Sequence, residues 1–506
     1  MLFLSRPSLL LIMALIRFAP LGRAWAFSSV SNSQASIIRQ TRIRVFSTTL
    51  PSSKSAESSS SSSFDTQQPL SEVPTIVLKR SRQSKAFRNG NQLVFTRAIQ
   101  SGTAPLASLV EVAVENSAPN DKKQAGKTLN PLSMGWGVYN PNSLYKIRIL
   151  CHRYLQPALY KSLNDSENAK DAMRLILNHH FQIAIQKRRA LNLPSSQHTV
   201  YRLVNGEGDG LSGLQVDVMD SHVVIQSSAA WCQLYKDVIL ETLGNAMPDH
   251  KLIWKVAASR LIQDGFDNFV EDTEGPEAEE AVVVKENGVM FKTYPAALGQ
   301  KTGVYCDQRE NRYLLSQYTR DKTVLDLCCF QGGFSVTAVV SGGAKLAVGI
   351  DSSPVAVEAA QKNAKLNQCE EKVTFIQSDI STYMQQAAED SVHYDVVVLD
   401  PPKLAPTAAS LDKARRKYHG LNRDAIKLVN PTGGGMLMTC TCSAAMTQKD
   451  GGDYFLAMVA AAAQAAGRSI TLLKKEGAAS CHTQSPVCQP AGAYLTAALF
   501  YVHPAE

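Results

Sequence analysis

Hydrophobic residues follow two alternating patterns in the second half of the chain. Short apolar runs with the length of buried parallel strands lie at residues 323–327, 345–350, 373–377, 395–399 and 436–439. Segments with helical periodicity, such as residues 354–366, separate these runs. Strands that alternate with helices form a parallel sheet covered on both faces. The pattern predicts a doubly wound, Rossmann-like α/β domain over residues 291–506.

The preceding part of the chain has a different pattern. Alternating runs at residues 75–78, 109–114 and 145–149, separated by Gly, Asn and Pro clusters, predict a small β-barrel over residues 73–152. A long helical pattern and a glycine-punctuated hairpin then predict an α+β middle domain over residues 153–290. The hairpin glycines are interpreted as a structural turn, because the acids between them would repel a phosphate.

The first 72 residues have the composition of a targeting leader and a disordered linker. Arg6 precedes an apolar stretch at 9–16 that is too short to span a bilayer, and a small-residue cleavage site ends before Phe27. A segment rich in Ser, Thr and Arg follows, and the serine run at 58–63 cannot form a core. Two signals in series resemble the bipartite leader of plastid proteins, and a mitochondrial presequence is the alternative.

Charge and cysteine content narrow the classes of partner. The 506 residues carry a net charge of +8, which is compatible with a polyanionic partner. The ten cysteines show no CxxC pair and no Cys/His ligand spacing, so neither a disulfide framework nor a metal site is predicted. Basic residues crowd the first turn of the predicted barrel beside aromatic residues, a combination typical of RNA-binding surfaces: Arg80, Arg82, Lys85 and Arg88. The alternative for this cluster is a solvated face.

Glycines and strand-end acids predict a cofactor crevice in the α/β domain. The first strand contains Asp326 and is followed by a loop with Phe330, Gly332 and Gly333, where a helix N-terminus can approach a ligand. Asp351 ends the second strand, where an acid binds ribose hydroxyls, and Asp379 follows the third. Three acids favour the cationic S-adenosylmethionine over a dinucleotide pyrophosphate. The alternative for each Asp is a turn or a helix cap.

An acid and a thiol follow the next two strands. Asp400-Pro401-Pro402-Lys403 ends one apolar run, and Thr439-Cys440-Thr441-Cys442-Ser443 ends the next. Side chains at the carboxyl ends of neighbouring parallel strands converge on one crevice. Methylation of cytosine C5 requires a thiolate that adds at C6 and an acid that holds the base, so this pair fits that chemistry. A structural Asp with an inert, buried Cys is the alternative.

In combination, these motifs resemble the bacterial large-subunit rRNA cytosine-5 methyltransferase family, whose members carry an N-terminal PUA barrel. The resemblance covers the chain after about residue 73 and rests on the following segments: 87–90, 137–141, 205–211, 298–309, 330–334, 400–403, 416–418 with Asn422, and 441–443. Two departures stand near the end, where Gln484-Ser485-Pro486 replaces the usual Asp-His-Pro and Thr496 stands at an expected Lys.

The resemblance implies a role for several further residues. It implies that Cys442 is the nucleophile, that Asp400 holds the base, and that Lys403 orients the base or a phosphate. Cys440 lies two residues before Cys442 and points the same way only if the strand continues, so it is interpreted as a packing residue. The resemblance extends the cofactor contacts to Lys301, Asp307, Arg309 and Asp400, and the RNA contacts to Arg416 and Lys417. The implied cofactor is S-adenosylmethionine and the implied partner is large-subunit rRNA. No stable membrane association is expected after leader removal, and the oligomeric state stays open, a homodimer included.

Two other functions fit the same sequence. A guanine-N7 rRNA methyltransferase would share the Asp-Pro-Pro loop and would need no thiol. A non-catalytic rRNA-binding assembly factor would keep the fold without turnover. The altered C-terminal motif is the feature that favours this alternative. The intact set of Asp351, Asp379, Asp400 and Cys442 argues against the second alternative.

Overall fold

The computed structural model describes residues 65–116, 129–270, 280–297, 304–405, 408–488 and 492–506. A six-stranded sheet comes first, in the order β2-β6-β5-β4-β1-β3. It surrounds its own apolar core, which includes Ile76, Val112 and Ile149. Its elements are β1 (Thr75–Leu78), α1 (Arg82–Arg88), β2 (Leu93–Phe95), β3 (Ile99–Ser101), β4 (Leu109–Asn116), β5 (Leu129–Tyr139) and β6 (Tyr145–His152). Strands therefore form where alternation predicts them; identity with a PUA barrel stays a prediction.

The middle region packs helices against a four-stranded sheet of order β10-β9-β8-β7. Asn168 caps the longest helix by accepting a hydrogen bond from the Asp171 backbone N–H at 3.0 Å. Its elements are α2 (Pro157–Asn164), α3 (Ala169–Ala190), β7 (Val200–Asn205), β8 (Leu214–Met219), β9 (His222–Ser227), α4 (Ala230–Leu234), α5 (Lys236–Ala246), β10 (Lys251–Val256) and α6 (Ala258–Gln263).

The glycine-punctuated turn between β7 and β8 is tied to the end of α3. Arg188, which is 1% exposed, donates two hydrogen bonds to the Asp209 carboxylate at 2.6 and 2.8 Å. The same guanidinium donates to the Cys481 carbonyl at 2.7 Å. The turn therefore anchors a C-terminal segment of the chain, which agrees with its interpretation as structural.

A hairpin of β11 (Val282–Glu286) and β12 (Val289–Thr293) precedes a seven-stranded sheet. The order of that sheet is β15-β14-β13-β16-β17-β19-β18, and only the last two of these strands, β19 and β18, pair antiparallel to their neighbours. The strands are β13 (Thr323–Leu327), β14 (Leu346–Asp351), β15 (Val373–Gln377), β16 (Val396–Leu399), β17 (Gly435–Thr441), β18 (Ile470–Glu476) and β19 (Thr496–Val502). The five predicted strands correspond to β13–β17, and each predicted end lies within two residues of the observed one.

Helices cover both faces of this sheet. Val324 belongs to an apolar cluster with Phe334 and Val357, while the next residue, Leu325, belongs to a second cluster with Met384 and Phe455. The helices are α7 (Arg309–Ser316), α8 (Gly333–Val340), α9 (Pro354–Leu366), α10 (Ile380–Glu389), α11 (Leu411–Lys427), α12 (Ala444–Gln448) and α13 (Asp453–Ala465). The predicted doubly wound α/β fold is confirmed.

The predicted end of the disordered linker, at residue 72, needs a correction. Residues 65–72 already belong to the fold: the backbone N–H groups of Leu70, Ala169 and Lys170 donate to the carbonyls of Glu167, Gln68 and Thr66. The polar composition of residues 65–72 predicts disorder, but backbone hydrogen bonds to the start of α3 hold this segment in place. Among the described residues, no helix is long and apolar enough to cross a bilayer, and all ten cysteines are free thiols.

Candidate active site

The loop after β13 adopts an unusual backbone conformation. Cys328 and Phe330, neither of them glycine, have φ angles of 63° and 49°. Such left-handed residues cost energy and concentrate at functional sites. Gly332 has φ 79°, and a β carbon there would lie 2.6 Å from the Phe375 ring. At Gly333 a β carbon would lie 2.6 Å from Arg312. Close packing against Phe375 and Arg312 thus already requires glycine at both positions, independently of the predicted approach of a ligand.

Asp326 is a fully buried carboxylate on β13. Its Oδ2 accepts hydrogen bonds from the backbone N–H and the hydroxyl of Ser335, at 3.0 and 2.7 Å. Its Oδ1 has no partner within the described residues. Burial raises the pKa of Asp326 to about 7, although the Ser335 hydrogen bonds act in the opposite direction. A buried acid of this kind is stabilised in its charged form by a nearby cation.

Asp351 and Asp379 lie at the ends of the next two strands, as predicted. Asp351 accepts one backbone N–H on each oxygen, from Phe330 and Ser353, both at 2.9 Å. Asp379 is exposed and caps α10, accepting from the backbone N–H groups of Ser381 and Thr382 at 2.8 and 3.1 Å. Asp379 therefore acts as a helix cap, and the adenine contact predicted for it stays a prediction.

Buried contacts hold the segment at the start of α7. Arg309 is 3% exposed, and its guanidinium donates to the Val200 carbonyl on β7 at 3.4 Å and to Glu310 at 3.2 Å. These contacts tie Arg309 to the middle region, and the cofactor contact implied for it stays a prediction. Asp307 is buried and accepts a hydrogen bond from the Tyr494 hydroxyl at 2.7 Å. Lys301 lies outside the described residues.

Asp400 is held by a residue that the sequence interpretation missed. Gln308, 4% exposed, donates its side-chain amide to Asp400 Oδ2 at 3.1 Å. The Gln308 carbonyl oxygen in turn accepts from the Asn311 amide at 2.6 Å, which fixes the orientation of the amide. The Asp400 backbone N–H donates to the Leu327 carbonyl at 3.2 Å, so the Asp-Pro-Pro loop begins beside the glycine loop. The Asp-Gln-Arg run before α7 was the only available signal for this contact.

Cys442 follows the last residue of β17 and is only partly buried. Its two neighbours are fully buried and fixed: Thr441 donates to the Tyr418 hydroxyl at 2.9 Å, and Ser443 donates to the Ala405 carbonyl at 2.6 Å. Because β16 and β17 pair in parallel, the loops carrying Asp400 and Cys442 leave the same edge of the sheet. The alternative of an inert, buried Cys therefore does not describe Cys442.

Cys440 differs from Cys442 in its surroundings. It lies within β17, is 0% exposed and belongs to the apolar core of the domain. Burial raises its pKa well above the usual value, which keeps the thiol protonated. This environment suits the packing role expected for Cys440.

Tyr305 lies in segment 298–309, on which the resemblance rests, and no role of its own was predicted for it. Its ring packs edge-to-face against Phe330, with 4.9 Å between the ring centroids. Burial raises the pKa of Tyr305 to about 12, and neighbouring acidic groups add to the effect: Asp307, Cys442, Asp400 and Asp351. Tyr305 therefore lies near the acids of the cofactor loops and near Cys442.

The predicted RNA contacts are spread over two surfaces. Lys403 follows the Asp-Pro-Pro loop and is exposed, as are Arg416 and Lys417 on α11, whose Tyr418 packs behind the Cys442 loop. The side chains of Arg80, Lys85 and Arg88 are exposed on the N-terminal sheet domain. The Arg82 side chain lies outside the described part of the structure.

These features meet the requirements of S-adenosylmethionine. The crevice offers a buried Asp326 carboxylate oxygen that has no partner among the described residues, a half-buried acid at a strand end at Asp351, and an exposed aromatic residue at Phe330. A cationic ligand with a ribose and an adenine needs these three kinds of group. Asp326, Phe330 and Asp351 would hold it.

The fold defines a class I methyltransferase dependent on S-adenosylmethionine. A methyltransferase solved with SAH superposes with a TM-score of 0.65 over 84% of this chain and 99% of that chain, at 20% identity. A SAM-dependent methyltransferase from Streptococcus mutans gives a TM-score of 0.63 over the same shares, at 19% identity. The family model of S-adenosylmethionine-dependent methyltransferases matches residues 264–475.

The chain belongs to the ribosomal RNA large subunit methyltransferase I family, and its cofactor is S-adenosylmethionine. The protein of that name from Aliivibrio fischeri (strain ES114) is 30% identical over 424 residues, which cover 83% of this chain and 97% of the relative. The Aeromonas hydrophila protein of the same name is 36% identical over 298 residues, 59% of this chain and 73% of the relative.

Proposed function

We propose that this protein methylates C5 of a cytosine in the large-subunit rRNA of an organelle, with Cys442 as the nucleophile and Asp400 as the acid that holds the base. The observation that carries this proposal is the juxtaposition of the two loops at one sheet edge, one with a hydrogen-bonded carboxylate and the other with a partly exposed thiol. The names of the relatives support the rRNA substrate.

The residues of the chain account for the steps as follows. The Cys442 thiolate adds to C6 of the cytosine, which forms a C–S bond and places electron density on C5. Asp400, oriented by Gln308, hydrogen-bonds the N3 and N4 edge of the base. S-adenosylmethionine supplies the methyl group when bound. After methylation of C5, loss of the C5 proton to a base or to water and cleavage of the C–S bond release Cys442.

The base must leave its stack to reach a thiol at the end of a strand. We infer that the N-terminal sheet domain, a PUA-like barrel in this proposal, helps to place the RNA through Arg80, Arg82, Lys85 and Arg88. Exposure of the described side chains among these supports the idea, since phosphate contacts need accessible charges.

We further propose that residues 1–72 contain a plastid leader, which is removed after import. A fluorescent fusion of this segment should label plastids. Labelling of mitochondria would move the substrate to the large-subunit rRNA of that organelle and leave the chemistry unchanged.

The deciding experiment maps modified bases in organellar rRNA with and without this protein. We expect the loss of one 5-methylcytosine, restored by the wild type and not by Cys442→Ala. Loss of a 7-methylguanosine instead would establish the guanine-N7 alternative. If no base changes while the protein still binds rRNA, the assembly-factor alternative holds.

A further inference from the structure

We propose that an open pocket beside the N-terminal sheet domain binds one unpaired nucleotide of the RNA substrate, outside the catalytic crevice. The pocket lies where β6 leads into α2, and its lining residues are Arg153, Tyr154, Pro157, Tyr160, Lys161 and Asn164. The inference rests on the proposed function, because it names a second contact for the same RNA.

The size and lining of the pocket fit a nucleotide. Its volume is about 420 Å³, within the range of sites that hold small organic ligands. Tyr154 is 48% exposed, so an aromatic residue of the lining is open to solvent. Unpaired bases stack on exposed aromatic rings and on guanidinium planes, whereas double-stranded segments cannot present their faces in this way.

Two arginines already lie against the two tyrosines. The Arg88 guanidinium carbon lies 5.9 Å from the Tyr154 ring centroid, and that of Arg153 lies 5.4 Å from the Tyr160 centroid. Neither guanidinium forms a salt bridge with another described residue. Both charges are therefore available to a phosphate, and the basic residues of α1 extend to the pocket through Arg88.

The balance of nearby charges favours an anion. Helix α2 contains Lys161 and no acidic residue. Two acids lie next to lining residues: Asp165, the C-cap residue of α2, and Glu111, which accepts a hydrogen bond from the Tyr160 hydroxyl at 3.3 Å. Arg88, Arg153 and Lys161 give this surface more positive than negative charges. An acidic protein partner would need only these charges, whereas an unpaired nucleotide also uses the aromatic rings.

The pocket also lies beside a C-terminal part of the chain. A β carbon on Gly90 would lie 2.9 Å from Leu155 and 3.6 Å from Val487, so these residues meet beside the pocket.

The test uses the full chain and a fluorescein-labelled oligouridine of twelve nucleotides. Oligouridine lacks the target cytosine, so its affinity reports on RNA contacts apart from the methylated base. Tyr154→Ala and Lys161→Glu should each weaken binding by roughly 5- to 100-fold, the effect of losing one stacked base or one phosphate contact. Tyr313→Ala, with a side chain that is also 48% exposed, and Lys372→Glu, also exposed, are the matched controls and should bind as the wild type does.

Two further measurements separate this inference from the proposed function. S-adenosylhomocysteine affinity and covalent trapping by RNA containing 5-fluorocytosine at saturating concentration should be unchanged in both pocket variants. Wild-type oligouridine affinity in both pocket variants would overturn the pocket while leaving the proposed function intact. Absence of trapping in the wild type, with weakened oligouridine binding in the pocket variants, would overturn the cytosine chemistry and leave the nucleotide pocket standing.

Discussion

The two halves of the crevice hold their carboxylates by different means. On the cofactor side, Asp351 accepts backbone N–H groups on both oxygens. On the substrate side, the side-chain amide of Gln308 donates to the Asp400 carboxylate at 3.1 Å. Backbone donors are fixed once the loop folds, whereas a side-chain amide depends on its own neighbours. The support of Asp351 is therefore set by the fold of its loop, whereas the Gln308 contact to Asp400 depends on a side chain that mutagenesis can exchange.

The thiols show the same contrast within a single strand end. Cys440 is enclosed in the core, and burial raises its pKa. Cys442, two residues later, lies where β17 has ended, between Thr441 and Ser443, whose hydroxyls hold the loop. The position relative to the end of β17 thus distinguishes the enclosed thiol of Cys440 from the partly exposed Cys442.

The largest expected effect comes from removing the available thiol. Cys442→Ala should lower methylation by at least about a thousandfold, since a missing nucleophile leaves only binding and orientation. The affinity for S-adenosylhomocysteine and for RNA should stay near that of the wild type, because these use other contacts. Methyl transfer to rRNA transcribed in vitro measures the effect.

Trapping with 5-fluorocytosine RNA identifies the sulfur that attacks. We expect a covalent adduct in the wild type and in Cys440→Ala, and none in Cys442→Ala. Cys369→Ala, which removes a buried thiol elsewhere in the domain, controls for the loss of a core thiol. An adduct that persists in Cys442→Ala and disappears in Cys440→Ala would reverse the roles of the two residues.

The sequence predicted the strands and their terminal residues because each is a local pattern. Asp326, Asp351, Asp400 and Cys442 stand at or next to strand ends, and apolar runs reveal where strands end. The roles of Gln308 and Tyr305 were not predicted, since they depend on which loop folds over the crevice, a long-range property. The contacts of Arg309 were not predictable for the same reason: its partner Val200 lies more than a hundred residues earlier, on β7.

A pH effect tests the buried acid of the cofactor half. Because the pKa of Asp326 is about 7 in the folded state and about 3.9 in the unfolded chain, the folded protein keeps a proton that the unfolded chain releases between these values. The free energy of unfolding should therefore fall as pH rises from about 4 to 7, by at most about 4 kcal/mol from this group.

Denaturant titrations of the wild type and Asp326→Asn across this range measure the effect as a difference. The variant's curve is subtracted because other groups also change stability in this range. Burial lowers the pKa values of His152 and His180 to about 4, so both make the free energy of unfolding rise with pH below 6.5. The variant, which cannot titrate at this position, should lack the decline. Parallel curves for the two proteins would show that Asp326 is ionised throughout.

Asp351→Ala tests the acid that the backbone holds. Loss of a carboxylate that accepts ribose hydroxyls should weaken S-adenosylhomocysteine binding by roughly 1–3 kcal/mol, measured by calorimetry. Glu358→Ala, which changes an exposed acid on the neighbouring helix α9, should leave the affinity unchanged. Equal dissociation constants for Asp351→Ala and the wild type would mean that the ribose lies elsewhere.

The smallest effect is expected for Gln308, which positions Asp400 without touching the base. Gln308→Ala should cost about 1 kcal/mol in transition-state stabilisation, or roughly a fivefold lower kcat/KM, because Asp400 is only half-buried and water can replace the lost donor. Gln308→Glu places a second carboxylate against Asp400 and should reduce the rate further, with a partial recovery at lower pH as one carboxyl of the pair takes up a proton. Cofactor affinity should be the same in both variants, since the Asp351 contacts come from the backbone. If Gln308→Ala lowered cofactor affinity as much as turnover, the two halves of the crevice would be one unit, and the contrast between backbone and side-chain support would fail.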